Sequence, residues 1–311
     1  MSPQSLRALI GPTASGKEST SLVLAAEHDL EILSLDSMKL FRGMDIVTAK
    51  ASLAARERVP HHLVDLAGPG SSFSTREWLA AADEALLRIR ARGRRPIFSG
   101  GTALYLKALL FGLFEGPAAQ PQLRARLKAR PREDLHRQLT EVDPDSAARI
   151  HANDLRRLVR ALEIFEVTGQ RPSDLRRQWK SEQPGRPCRI AGIRRDRQDL
   201  YSRINVRVER QIDAGLVQEI EGLLQAPEGL SPVARQALGC KEIADFLEGA
   251  AGAVGSLEDA IELIKQHTRQ FARRQITWFK HFDVHWVDAG PEATPQETAD
   301  LATRALGLEP R

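Results

Sequence analysis

Gly11-Pro12-Thr13-Ala14-Ser15-Gly16-Lys17 fits the first seven positions of G-x-x-x-x-G-K-[ST], and the residues on either side make the match specific. Ala8-Leu9-Ile10 before it is a short apolar run, and Lys17 to His28 after it has helical composition. Ile32-Leu33-Ser34-Leu35 is a second apolar run, ending at Asp36. Strand, glycine-bearing loop, helix and strand make a βαβ unit with parallel strands and a right-handed crossover. In that setting the glycines let the backbone curl until successive N–H groups point at phosphate oxygens. The helix N-terminus adds positive potential, and Lys17 supplies a mobile cation. The next position departs from the pattern. The hydroxyl that ordinarily ligates Mg²⁺ is replaced by Glu18, and Ser19 is not at the helical angle to substitute for it.

Working outward, further strands are predicted at His62 to Leu66, Pro96 to Ser99, Arg189 to Ile193 and Val284 to Val287. Helical stretches at Ser74 to Arg92 and Thr102 to Leu110 separate them. This alternation predicts an α/β fold: a parallel sheet with helices on both faces, like the P-loop nucleoside-triphosphate hydrolases. From Pro117 the texture changes. Pro121 to Thr140, Asn153 to Thr168 and Ser173 to Lys180 read as Arg-rich helices with no strand before Arg189. The expected division is therefore an α/β core, residues 1–116 and 187–311, and a helical basic insertion, residues 117–186. Long helical patterns follow at Asp199 to Leu224, Pro232 to Leu247 and Leu257 to Phe282. The tail after Gly290 reads as frayed or as a marginal last helix.

Charge is concentrated in the insertion. Residues 117–186 carry 15 Lys+Arg against 10 Asp+Glu, a net of +5, whereas the whole chain of 311 residues is only +4. That surplus fits a module meeting a polyanion. Charged residues at 28% and hydrophobic ones at 42% exclude a disordered chain or a membrane bundle, and no run approaches the roughly 20 apolar residues of a spanning helix. Met1 to Leu9, cut off by Gly11 and Pro12, is too short for a secretory signal. Two cysteines cannot build a disulfide framework, and no H-x₃-H or C-x₂-C spacing suggests zinc. A cytoplasmic, monomeric protein is the expectation.

Other residues bear on chemistry. Asp36 is expected at the carboxyl end of the second strand, where ligands of open α/β sheets collect. An ordinary turn would also suit it, but beside a phosphate loop a base or metal partner is the stronger reading. Gly100-Gly101-Thr102 is a second glycine turn, feeding a helix, with the Thr102 hydroxyl as a donor. Lys265, Arg269 and Arg273 recur at i, i+4 and i+8, joined by Arg274 and Lys280, with no acid between Lys265 and Phe282. Solvated helices usually mix signs, so this face is expected to track phosphates. Trp278, Phe279 and Phe282 are expected in the core.

Beyond the phosphate loop, the chain carries Asp36-Ser37-Met38, Arg42-Gly43-Met44-Asp45-Ile46, Thr48-Ala49-Lys50 and Val59-Pro60-His61-His62-Leu63. It also carries Gly100-Gly101-Thr102, Asn153-Asp154 with Arg157, Arg160-Ala161-Leu162-Glu163, Gln236-Ala237-Leu238-Gly239 and Thr268-Arg269-Gln270-Phe271-Ala272-Arg273-Arg274-Gln275. With these in order, the sequence from about Leu9 to Trp286 resembles the bacterial tRNA dimethylallyltransferases, also called tRNA isopentenyltransferases. The resemblance implies transfer of the dimethylallyl group of dimethylallyl diphosphate to N6 of adenosine 37, beside the anticodon of tRNAs reading codons that begin with U. It implies that the loop Gly11 to Lys17, with Glu18, holds the donor diphosphate with Mg²⁺. Asp36 is then the general base and a candidate metal ligand, Thr102 acts at the donor, and Arg207 of Arg203-Ile204-Asn205-Val206-Arg207 reaches the diphosphate. Asp36, Ser37, Met38 and Lys39, together with Arg156, Arg157, Leu158, Val159 and Arg160, match segments that contact the anticodon stem-loop.

Two departures accompany Glu18: Lys39-Leu40-Phe41 where that family often has Gln-Val-Tyr, and Cys240 where it has Tyr. A small-molecule P-loop kinase with ATP in the loop would explain the loop and Asp36 but leave the basic segments unused. A non-catalytic RNA-binding protein would leave the loop without a purpose.

Overall fold

A computed structural model of the protein describes residues 5–114, 116–175, 184–250 and 252–308. The strands are β1 (Leu6–Ile10), β2 (Leu30–Leu35), β3 (His61–His62), β4 (Arg95–Gly100), β5 (Cys188–Arg194) and β6 (His285–Asp288). They form one sheet in the order β3-β2-β4-β1-β5-β6, with every pairing parallel. β2 is buried along its whole length, as a strand covered on both faces must be. β3 stops short of the predicted Leu66 because Leu63 and Asp65 take left-handed backbone angles, φ 63° and 57°, which end a ladder.

The helix after the phosphate loop runs Lys17–His28, as predicted. Ser74 and Glu77 make a reciprocal capping box that starts Thr75–Ala91. Elsewhere long patterns break. Gly215, at φ 97°, divides the predicted 199–224 helix into Arg197–Asp213 and Leu216–Gln225, and Gly239, at φ 91°, precedes Cys240–Leu247. Pro131 divides the 121–140 pattern into Pro121–Lys128 and Arg132–Val142, since proline has no N–H to continue a helix. Leu155–Thr168 follows, then the short Pro172–Leu175; the remainder of the predicted 173–180 helix lies outside the described residues.

The tail is not marginal. Thr294 and Glu297 cap a helix Pro295–Leu306, whose Ala299, Ala302 and Leu306 are fully buried in one cluster with Leu9, Leu24 and Ile193. Sequence alone hid this because small alanines, rather than large apolar residues, make the buried stripe.

The chain divides into two compact units, Met1–Leu109 with Arg186–Arg311, and Leu110–Gly185. The second has its own core of Leu127, Leu135, Leu139, Leu158, Val159 and Leu162. Cys188 and Cys240 are free thiols. Among the described residues, no helix is long and apolar enough to cross a membrane.

Candidate active site

Strand register assembles the site. Ile10 of β1 pairs with Gly100 of β4, and Gly100 in turn pairs with Leu35 of β2. Three adjacent parallel strands therefore end on one line, and Gly11, Gly101 and Asp36 each stand one residue beyond it. A side chain at Gly100 would meet the Leu35 carbonyl at 2.2 Å, so only glycine permits this approach. The N–H groups of Gly101 and Thr102 both donate to that carbonyl, at 3.1 and 3.0 Å.

The loop Gly11 to Lys17 curls through left-handed angles at Ala14 (φ 62°) and Gly16 (φ 93°). Ser15 is buried, and its hydroxyl lies where a Cβ on Gly11 would intrude at 2.6 Å. Pro12 is buried too; its carbonyl accepts from Lys17 Nζ at 3.2 Å, while Thr13 is half-buried. Two arginines that sequence reasoning missed brace the loop through its carbonyls. Arg195 Nε donates to Ser15 at 2.8 Å, and Arg203 Nε donates to Ala14 at 3.1 Å. With those carbonyls engaged, the loop is held in its curled form. Arg195 was detectable by position, since it directly follows β5 at the same end of the sheet.

One turn beyond Arg203, Arg207 enters the pocket, close enough to Glu18 and Asp36 for their charges to act on it. Lys17 is pulled down to about 8 by burial, then by Arg207 and Lys39, against the opposing pull of Asp36 and Glu18. Positive charge is thus gathered at some cost. Asp36 Oδ1 accepts the N–H of Met38 at 2.8 Å and, more loosely, that of Lys39 at 3.4 Å, leaving Oδ2 outside this turn. The Thr102 hydroxyl accepts the Ser37 N–H at 3.1 Å, tying the second glycine turn to the segment that carries the carboxylate. The structure brings Asp36, Thr102, Arg207 and the loop together.

The sequence matches the family described as IPP transferase over residues 39–282. It belongs to that family. The tRNA dimethylallyltransferase 2 of Geotalea daltonii is 42% identical over 288 residues, 91% of this chain and 87% of that protein. The tRNA dimethylallyltransferase of Thermomicrobium roseum is 43% identical over 310 residues, 97% of this chain and 92% of that one. Among solved structures, the tRNA delta(2)-isopentenylpyrophosphate transferase of Staphylococcus epidermidis superposes with a TM-score of 0.69 at 35% identity, over 98% of this chain and 99% of that one. A eukaryotic dimethylallyltransferase acting on tRNA gives a TM-score of 0.75 at 27% identity, over 91% and 73% of the two chains.

In this IPP transferase two sequence departures meet in space. Lys39 Nζ bonds Glu18 Oε2, so the carboxylate standing where the hydroxyl ligand was expected is paired with the lysine of the Asp36 turn. Burial pushes the Glu18 carboxyl up, but Lys39, Lys17 and Arg207 together hold it below the usual carboxylate range.

Several expected RNA contacts need correction. Leu158 and Val159 are buried in the helical unit's core, because helical periodicity turns them inward between exposed Arg156 and Arg157 and half-buried Arg160. Arg160 is committed to Glu163 at 2.5 Å and to the Pro117 carbonyl at 3.1 Å. On helix Leu257–Phe279, Lys265 is 9% exposed and paired with Glu209 at 3.0 Å and Glu262 at 2.7 Å. It is not part of an open cationic face. Arg269 is half-buried and bonds Asn205 at 2.8 Å; Arg273 and Arg274 are exposed. Trp278, expected in the core, is 39% exposed and meets His281 edge-on, while Phe279 alone of that aromatic group is fully buried.

Proposed function

We propose that this chain transfers the dimethylallyl group from dimethylallyl diphosphate to N6 of adenosine 37 in tRNAs reading codons that begin with U, releasing diphosphate. The reading is carried by the shared register of β1, β2 and β4, which sets an anion-binding loop beside a carboxylate in a member of a tRNA-prenylating family.

The loop amides with no partner among the described residues, those of Ala14, Gly16 and Lys17, receive the donor diphosphate, with the Lys17 ammonium and the Arg207 guanidinium. These groups meet the charge that grows as the allylic C–O bond breaks and its electron pair leaves with diphosphate. The exocyclic nitrogen of adenine attacks the allylic carbon, and its proton passes to Asp36, whose Oδ1 is steadied by its turn. Thr102 holds that turn in register with the donor through Ser37. Adenine reaches the pocket only when flipped from its stack, at a cost of a few kcal/mol. Ser37, Met38 and Lys39 border it there, and Arg156, Arg157, Arg273 and Arg274 offset the cost through phosphate contacts.

A magnesium ion fits this donor set. Asp36 and, if released from Lys39, Glu18 are hard oxygen donors whose charges bear on the same Lys17 and Arg207, and these two carboxylates would hold it. Such an ion would supply charge neutralisation for the leaving diphosphate. We place the reaction in the cytoplasm and assign it to a monomer.

Labelled dimethylallyl diphosphate incubated with an unmodified tRNA bearing A36-A37 should give labelled tRNA. Label passing from γ-labelled ATP to a metabolite, with none reaching tRNA from the allyl donor, would establish a kinase instead.

A further inference from the structure

Gln275 has no part in the mechanism above, yet it stands between its two halves. It lies on helix Leu257–Phe279 and is 6% exposed. Its Oε1 accepts the N–H of Thr13 at 2.9 Å, and its Nε2 donates to the carbonyl of Gly101 at 2.8 Å. Oxygen and nitrogen of one carboxamide thus bond the two glycine turns, and a Cβ on Gly101 would lie 2.2 Å from that nitrogen. On its far side the Gly101 turn is already fixed to the Asp36 segment, through the Leu35 carbonyl and the Thr102–Ser37 bond. A continuous hydrogen-bonded path therefore runs from Thr13 through Gln275, Gly101, Thr102 and Ser37 to the residue beside Asp36.

Resting on the reading above, we propose that Gln275 is a positioning residue for the transfer step, clamping the donor loop to the base-bearing turn at the separation the reaction needs. The carboxamide suits this because one end accepts and the other donates. A carboxylate would still accept from Thr13 but would face the Gly101 carbonyl with a second oxygen, and a thioether of similar length would satisfy neither. The diphosphate has the remaining loop amides, Lys17 and Arg207. Loss of the clamp therefore shifts donor against base more than it weakens donor binding. Misplacement of about 1 Å between reacting groups costs up to ~10²-fold in rate.

The test compares Q275E and Q275M with F279L, a core change on the same helix that lowers stability without touching either turn. Single-turnover transfer, inorganic diphosphate affinity by calorimetry and thermal unfolding are measured for each. Both Gln275 variants should lose about 30-fold in transfer rate while diphosphate affinity stays within about 3-fold, and F279L should keep its rate despite a lower melting temperature. If Q275E does not fold, Q275M carries the same comparison. Rates within about 3-fold of wild type would overturn the proposal, as would rate and affinity falling together in step with stability, as a structural loss does. If the wild-type chain transfers no prenyl group at all, the underlying reading fails first and this inference falls with it. If the wild type is active and the Gln275 variants match it, only the inference fails.

Discussion

Buried charge is handled in opposite ways in the two units. In the helical unit Glu163, fully buried, is met from every side: by Arg124 at 2.8 and 2.9 Å, by Arg160 at 2.5 Å and by the Gln120 N–H at 2.8 Å. Burial pushes its carboxyl up, yet Arg124, Gln120 and Arg160 hold it below the usual range. In the α/β unit Lys17 has one bond, to a carbonyl at 3.2 Å, and shares its pocket with Arg207 and Lys39. The first arrangement is complete in itself. The second holds Lys17, Arg207 and Lys39 against Asp36 and Glu18 only, a surplus of positive charge that a polyanion would relieve.

The sharpest way to break that contrast is at Asp36. Asp36→Asn should lower single-turnover transfer by roughly 10²-fold or more while tRNA affinity stays within a few fold, as loss of a general base does. An unchanged rate would remove Asp36 from the chemistry. In the helical unit the comparable change is Glu163→Ala, which strands two arginines. Both reach solvent, so the loss is limited to about 2 kcal/mol in urea unfolding, without a change in diphosphate affinity. Glu163 also sets a direction with pH. Its depressed value stabilises the fold above the ordinary carboxylate range, and that contribution disappears as pH falls through its own lower value.

Lys17 gives the opposite sign. With its value near 8, calorimetry should find diphosphate affinity, corrected for the ligand's own protonation, level below that pH. Above it, affinity should fall by up to about 10-fold per pH unit as the ammonium is lost. A flat profile to pH 9.5 would mean that Lys17 does not hold the anion. Smaller effects sort the expected RNA contacts. Replacing Arg156 and Arg157 should weaken tRNA binding several-fold and reduce its salt slope by ~1 for each phosphate no longer neutralised. Arg160→Ala should instead act on melting temperature. Lys265→Ala should leave the salt slope where it was, because Glu209 and Glu262 already hold that ammonium.

Much of the fold was legible. The helix after the glycine loop was read to the residue, and five of the six strands among the described residues were found, because apolar runs and glycine breaks are local signals; β3 meets its expected stretch at His62 alone. The helices divided at Pro131, Gly215 and Gly239 were read as continuous, since a single breaker within a strong helical period is outweighed by its neighbours. The candidate site was half legible. Asp36, Thr102 and Lys17 sit in motifs whose spacing carries chemistry. Arg195, Arg203 and Gln275 act on loop backbone from elements 180, 189 and 262 residues away from their partners; of these only Arg195 carried a signal, its place directly after a strand.

The sequence by itself determined the parallel α/β architecture, for it follows from periodicity and composition along the chain. Only the tertiary structure decided which charges are free. It set Lys265 against Glu209, Lys39 against Glu18 and Arg124 against Glu163, while leaving Arg156 and Arg273 exposed. A charge becomes available or committed through whichever partner the packed backbone brings within a few ångströms. That distance is fixed by register and helix rotation, which distant segments set together.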